Sequence, residues 1–235
     1  MGLERMETTA KKLHFCDWII IPSIGKSSGQ IVAWNSNCIA QLFEIKFNII
    51  MMSVKIKGFL CFVSCMYGAL NTVNRKDQWD YLQCLSENIK NPWMLVGDLN
   101  FILDSSEKEG GNEALSSDSA LIQNVIQQIG FIDLKFQGDP FTCYNPREGD
   151  ANIRERIDRS LVNISWFQHF PDSVVHHLTR VASDHSPLFI EIDPIIMRLH
   201  RPYKPFRGWK EHKEYDMFFE NAWKKIKKVV KMISL

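Results

Sequence analysis

The chain has 235 residues, 45% of them hydrophobic and 23% charged, a balance that excludes disordered and fibrous classes and fits one large domain or two small ones. A formal net charge of +1 excludes global attraction to nucleic acid, so any such contact must come from local patches. No apolar run approaches the roughly 18 residues of a membrane span, and Glu4, Glu7, Lys11 and Lys12 interrupt any signal-peptide order, so a nuclear or cytoplasmic protein with no membrane partner is expected.

Residues 1 to 13 are mixed and charged, with Met6, Ala10 and Leu13 at faint helical spacing. Cys16 to Ile21 reads as a strand stopped by Pro22, and Gln30 to Trp34 as another. The Gly25-Lys26-Ser27 between them reads as a hairpin turn, because a phosphate loop needs a glycine where Ile20 stands. Ile39 to Ile56 predicts a strand pair and Gly58 to Tyr67 a further strand. Six cysteines show no CxxC pair and no zinc-type spacing, and Cys61 and Cys65 are expected as buried free thiols without disulfide partners. Trp79, Leu82, Leu85 and Ile89 predict an amphipathic helix over Arg75 to Ile89. A polar loop is expected from Asp104 to Gly111. A second helix over Asp118 to Ile129 should place Leu121, Ile122, Val125, Ile126 and Ile129 on one face, started by Ser116 or Ser117 and stopped by Gly130. Phe141 to Tyr144, Ile157 to Val162, Ser173 to Leu178 and Leu188 to Ile192 read as short strands, with one helical turn around Trp166, Phe167 and Phe170.

Strands outnumber helices without strict βα alternation, which predicts an α/β (α+β) domain built as a two-sheet β-sandwich flanked by helices. That domain should cover residues 1–194. Residues 195–235 should form a basic linker, Arg198 to Trp209, and a basic amphipathic helix from about Tyr215 to Ile233. This helix reads as a solvated face or as a phosphate-backbone contact.

One strand stands apart. Trp93-Met94-Leu95-Val96 runs without a polar residue into Gly97-Asp98-Leu99-Asn100, which places Asp98 and Asn100 on one face, about 7 Å apart along the backbone. Oxygen ligands of this kind suit a hard cation such as Mg²⁺. Later come Arg156-Ile157-Asp158-Arg159 and Ser183-Asp184-His185-Ser186-Pro187. Each stretch also has a plain structural reading: an Asx turn at Asp98, a salt-bridged strand residue at Asp158, a capped turn at Asp184, an edge aromatic at Tyr67. His176 and His177, adjacent on a strand, point to opposite faces and cannot chelate together.

Taken in order, Tyr67-Gly68, Gly97 to Asn100, Arg156 to Arg159 and Ser183 to Pro187 resemble the endonuclease/exonuclease/phosphatase superfamily, the deoxyribonuclease-I-like fold. Ser106-Glu107-Lys108-Glu109-Gly110-Gly111, Pro140-Phe141-Thr142 and Ile153 to Asn163 with Trp166 further resemble the endonuclease domain of plant LINE-type (non-LTR) retrotransposons. The resemblance implies Mg²⁺-assisted hydrolysis of a phosphodiester in DNA by water. It also implies roles: His185 facing the scissile phosphate, Asp158 orienting and charging it, Asp98 managing the water, Asn100 and Tyr67 meeting phosphate oxygens, and Asp184 with Asp98 at the metal.

Members of that family open with a strand ending in asparagine and a second ending in a metal-binding glutamate. The resemblance begins after both, and neither Glu4 nor Glu7 ends an apolar strand. Leu70 replaces a proline and Cys143 a tryptophan of the family pattern. An N-terminally truncated domain with weak or absent Mg²⁺ and weakened or lost catalysis is therefore expected. The alternatives are a non-catalytic nucleic-acid-binding remnant using Arg154, Arg156, Arg159 and the lysine-rich tail, or a phosphatase on the same scaffold.

Overall fold

The structure is a computed structural model describing residues 3–23, 29–111, 117–145, 147, 152–194, 214–218, 220 and 221. It opens with a helix, α1 (Leu3–Lys12), which buries Met6 and Ala10 and leaves Leu13 exposed beyond its end. β1 (Asp17–Ile21) and β2 (Gln30–Trp34) pair antiparallel, Ile21 opposite Gln30, as the hairpin reading requires. The Gly25-Lys26-Ser27 turn itself lies outside the described residues.

β3 (Ile39–Lys46), β4 (Ile49–Ile56) and β5 (Phe59–Tyr67) form a meander. Its two connections are two residues long, Phe47-Asn48 and Lys57-Gly58, and all four residues have positive φ. That is the primed-turn geometry whose twist matches flanking antiparallel strands. α2 (Thr72–Asn88) starts earlier than its apolar spacing suggests, because Asn71 caps it by accepting a hydrogen bond from the Asn74 N–H at 2.8 Å. It returns the chain so that β6 (Trp93–Asp98) lies parallel to β5.

The expected polar loop after β6 is instead ordered. A 3₁₀ turn at Ser105–Glu107 carries a capping box between Asp104 and Glu107, and β7 (Lys108–Glu109) follows. α3 (Ser117–Ile129) buries Ile122 and Ile126 but leaves Leu121 exposed. Then come β8 (Ile132–Asp133), β9 (Phe136–Gln137), β10 (Cys143–Asn145), β11 (Ile153–Glu155), β12 (Asp158–Val162), α4 (Ile164–His169), β13 (Val174–His177) and β14 (Leu188–Glu191).

The central sheet has the order β3-β4-β5-β6-β12-β8. Both its faces are covered, which is why Ile49-Ile50-Met51-Met52 is buried throughout rather than alternately. Ile49, Met51, Phe62, Met66, Leu95 and Leu161 pack on Trp79 and Leu82 of α2 and Ile122 and Ile126 of α3. The alternate positions Cys61, Met94 and Val162 pack on Val175 of β13, Leu188 and Ile190 of β14, and Trp166 and Phe170. Each such apolar side chain, fully buried, stabilises the fold by about 1.5–3 kcal/mol. The second layer comprises the ladder β14-β13-β9 and the separate β1–β2 hairpin, and the amide of Gln30 donates to the Cys65 carbonyl at 2.8 Å. This is a two-sheet sandwich with helices outside, the architecture that the resemblance implies. All six cysteines are free; Cys61 is fully buried, whereas Cys65 is only partly so.

The chain divides into two compact units, Met1–Pro194 and Ile195–Leu235. In the second, residues 215–218, 220 and 221 are helical; the basic linker and the remainder of the expected terminal helix lie outside the described residues.

Candidate active site

Three neighbouring strands of the central sheet end together. Tyr67 closes β5, Asp98 closes β6 and Asp158 opens β12, and the register sets Tyr67 beside Asp98 and Asp98 beside Asp158. Two glycines allow this convergence. At Gly97 the backbone has φ +144°, and a Cβ there would lie 2.0 Å from the Met66 carbonyl oxygen; at Gly68 it would lie 2.1 Å from the Leu99 carbonyl oxygen. Immediately after β6, Asn100 adopts a left-handed conformation (φ 54°), stabilised by its N–H donating to Asp98 Oδ1 at 2.9 Å. Its side-chain amide donates to the Gly68 carbonyl at 2.7 Å, tying the loop after β6 to the loop after β5.

His185 reaches this row from the loop before β14. Its Nδ1 lies 2.8 Å from Asp158 Oδ2. The position of the loop is set by Thr142, a fully buried residue to which sequence reasoning gave no part. The Thr142 carbonyl accepts from Ser186 N–H at 2.7 Å, and its hydroxyl oxygen accepts from the N–H groups of Ile157 at 3.1 Å and Asp158 at 3.0 Å. One residue thus fixes both members of the Asp158–His185 pair, Asp158 through its hydroxyl and the His185 loop through its backbone carbonyl. Nothing local in Pro140-Phe141-Thr142 announces this, since its partners come from residues 157, 158 and 186.

The electrostatics follow from crowding. The hydrogen bond that His185 donates to Asp158 and the Asp158 charge, aided by Asp98 and Asp184 and opposed by burial, push the His185 imidazole up to about 9. Burial, then the Asp158 charge, push the Asp98 carboxyl up to about 6, against the stabilising Asn100 N–H and His185. The site therefore holds a charged imidazole among carboxylates that repel one another.

Asp98, Asp158 and His185 offer ligand atoms within 4.8 Å of one another; Asp184, which is exposed, belongs to a second such group with Cys143 and the same His185. The two residues expected at a metal, Asp98 and Asp184, thus fall into different groups joined through His185. A row of carboxylates with a surplus of negative charge fits a small divalent cation. Glu4 and Glu7 lie on α1, and no glutamate joins either group among the described residues.

Two expectations about arginine are corrected. Arg156 and Arg159 are buried, 6% and 0% exposed, and so present no surface to nucleic acid. Arg156 donates to Glu107 Oε1 (2.8 Å) and to both oxygens of Asp133 (2.8 and 2.9 Å), while Arg159 donates to Glu107 (2.5 and 3.1 Å) and Asp133 (2.9 Å). Asp158 does not pair with its flanking arginines; it holds His185. Arg154, half exposed, pairs with Glu109 across β11 and β7 at 3.3 Å. The Ser106–Gly111 and Arg156–Arg159 stretches are therefore halves of one knot. His176 and His177 do point to opposite faces; His177 is buried, stacked on Phe136 at 4.5 Å.

A sequence profile of the endonuclease/exonuclease/phosphatase family matches residues 40–185, the span that carries every one of these site residues. The chain belongs to that family. Among solved structures similar to this chain is the endonuclease domain of TRAS1, a telomere-specific non-LTR retrotransposon, with TM-score 0.57 at 14% identity over 80% of this chain and 90% of that one. A family protein from Leptotrichia buccalis C-1013-b is similar with TM-score 0.53 at 16% identity, over 81% and 77%. D. rerio TDP2 complexed with single strand DNA product is similar with TM-score 0.53 at 14% identity, over 81% and 82%. At such identities the likeness establishes the fold. No curated protein matches the sequence significantly. Among the described residues, no helix is long and apolar enough to cross a membrane.

Proposed function

We propose that the chain is a Mg²⁺-dependent, phosphodiester-hydrolysing DNA endonuclease-type domain of retroelement origin, of the plant LINE type, with slowed catalysis. The observation that carries this reading is the 2.8 Å contact of His185 with Asp158, in register with Asp98 and Tyr67 across three strand ends. Held at Nδ1 by a carboxylate, the charged imidazole suits contact with a phosphate or donation of a proton to the leaving oxygen. Asp98 orients and deprotonates the attacking water. The Tyr67 hydroxyl and the Asn100 amide position phosphate oxygens, and a cleft lined by Asn100, Lys108, Glu155 and Ile157 opens beside them. Asp98 and Asp184 are the carboxylates assigned to Mg²⁺, which when bound neutralises charge on the phosphate. With no glutamate joining them among the described residues, a bound cation would be held weakly, and turnover would be slow. Retroelement origin is supported by the TRAS1-like fold and by the interlocking of the two stretches that resemble LINE nucleases.

Single-turnover nicking of supercoiled plasmid, which registers one break per molecule, tests the reading. The expected result is slow, Mg²⁺-dependent nicking that falls by about 10²–10⁴-fold in His185→Ala. Equal nicking by the two proteins would remove the assignment. Rapid multiple turnover would remove the slowing. The alternative of a non-catalytic nucleic-acid-binding remnant loses two of its three arginines to the buried knot.

A further inference from the structure

We propose that Cys143, Asp184 and His185 form a binding site for a thiophilic divalent ion of the Zn²⁺ class. The Cys143 sulfur, an Asp184 carboxylate oxygen and a His185 ring nitrogen lie within 4.8 Å of one another. The backbone sets this spacing. Cys143 and His185 stand opposite each other in an isolated antiparallel bridge, closed by Tyr144 N–H to the Asp184 carbonyl (2.9 Å) and Ser186 N–H to the Thr142 carbonyl (2.7 Å). In such a pair the hydrogen bonds flank the facing residues instead of joining them, and this arrangement brings the two side chains closest.

The donor set decides the ion. A thiolate, an imidazole and a carboxylate with one position left open match three-ligand zinc sites, whereas Mg²⁺ prefers oxygen alone. Zinc-binding histidines commonly engage a carboxylate through the ring nitrogen that does not bind the metal; His185 Nδ1 lies 2.8 Å from Asp158, which leaves Nε2 for the ion. Tetrahedral bonds of about 2.0–2.3 Å place ligand atoms roughly 3.3–3.7 Å apart, so closure takes about 1 Å of side-chain movement. Asp184, exposed, has the freedom to supply it. The cysteine spacing gave no hint of this site, because its ligands come from β10 and from a loop remote in sequence. An ion there occupies His185 and so blocks the nuclease chemistry. That consequence rests on the function proposed above; the binding does not.

The test is titration of the full chain with Co²⁺, a coloured zinc analogue, followed by displacement with Zn²⁺. A thiolate-to-cobalt charge-transfer band is expected to saturate at one equivalent, to vanish in Cys143→Ser and to persist in Cys84→Ser, which removes a different, exposed thiol. Asp184→Asn keeps the thiol and should weaken binding, and Asp158→Asn should weaken it by about 10–100-fold. Thermal unfolding of each variant confirms that it is folded. Absence of the band in the unaltered chain, its survival in Cys143→Ser, or unchanged affinity in Asp184→Asn would overturn the proposal. The spectrum does not depend on DNA cleavage, so its failure leaves the nicking result standing, and the reverse.

Discussion

The stretch Arg156–Arg159 feeds two charge clusters that differ in one respect. In the knot, two arginines meet two carboxylates, Glu107 and Asp133, and the four are closed on one another with Arg159 wholly inaccessible. At the strand ends, Asp98, Asp158 and Asp184 face a single charged imidazole, leaving a surplus of two negative charges at a partly open mouth. A balanced cluster leaves no net charge for a ligand and supports the fold. An unbalanced one is maintained at a cost, which is the ground for proposing that it meets a cation or a cation-bound phosphate.

The comparison breaks most visibly at the knot. Arg159→Met leaves Glu107 and Asp133 with half their compensation, and a loss of about 3–5 kcal/mol in denaturant unfolding is expected. A loss within the range of surface substitutions would mean the knot is not a closed unit. Thr142→Val removes the acceptor for two backbone N–H groups while preserving shape, and should cost about 1–3 kcal/mol and slow nicking through a misplaced Asp158, which holds His185. Unchanged stability and rate would show that the Thr142 hydroxyl does not position Asp158.

At the unbalanced cluster the sign should reverse. The Asp98 carboxyl is raised to about 6, so as pH climbs from the usual carboxylate range through 6 the unfolded chain ionises first and the folded state loses stability. Asp98→Asn, still able to accept from Asn100 N–H, should therefore gain on the order of 1 kcal/mol at pH 7 while abolishing nicking. If this variant is less stable than the unaltered chain, burial and the Asp158 charge do not make the ionised Asp98 costly in the folded state.

The contrast also explains what the sequence could reveal. The continuous apolar run Trp93–Val96 shows a strand buried on both faces, and Gly97-Asp98 shows where it ends, because a local pattern determines each. Helix α3 was legible too, except that Leu121 points to solvent: its apolar stripe is narrower than the residue spacing suggests. Asp104–Gly111 read as a loop because its composition is polar; its order comes from Glu107, whose partners lie at 156 and 159. The arginines were misjudged for the same reason, since a basic pair on a strand looks exposed until its distant carboxylates are known. The candidate site residues were singled out through resemblance, but the Thr142 clamp and the bridge pairing Cys143 with His185 are tertiary facts with no local signature.

The central claim is that Asp158 and His185, distant in sequence, are joined in the folded chain. NMR titration of the His185 imidazole tests it directly. The account predicts a midpoint near 9, so that the pair contributes stability below about pH 6.5 that is lost as pH rises through 9, and a return toward about 6.5 in Asp158→Asn. A midpoint already near 6.5 in the unaltered chain, or one indifferent to Asp158→Asn, would contradict it.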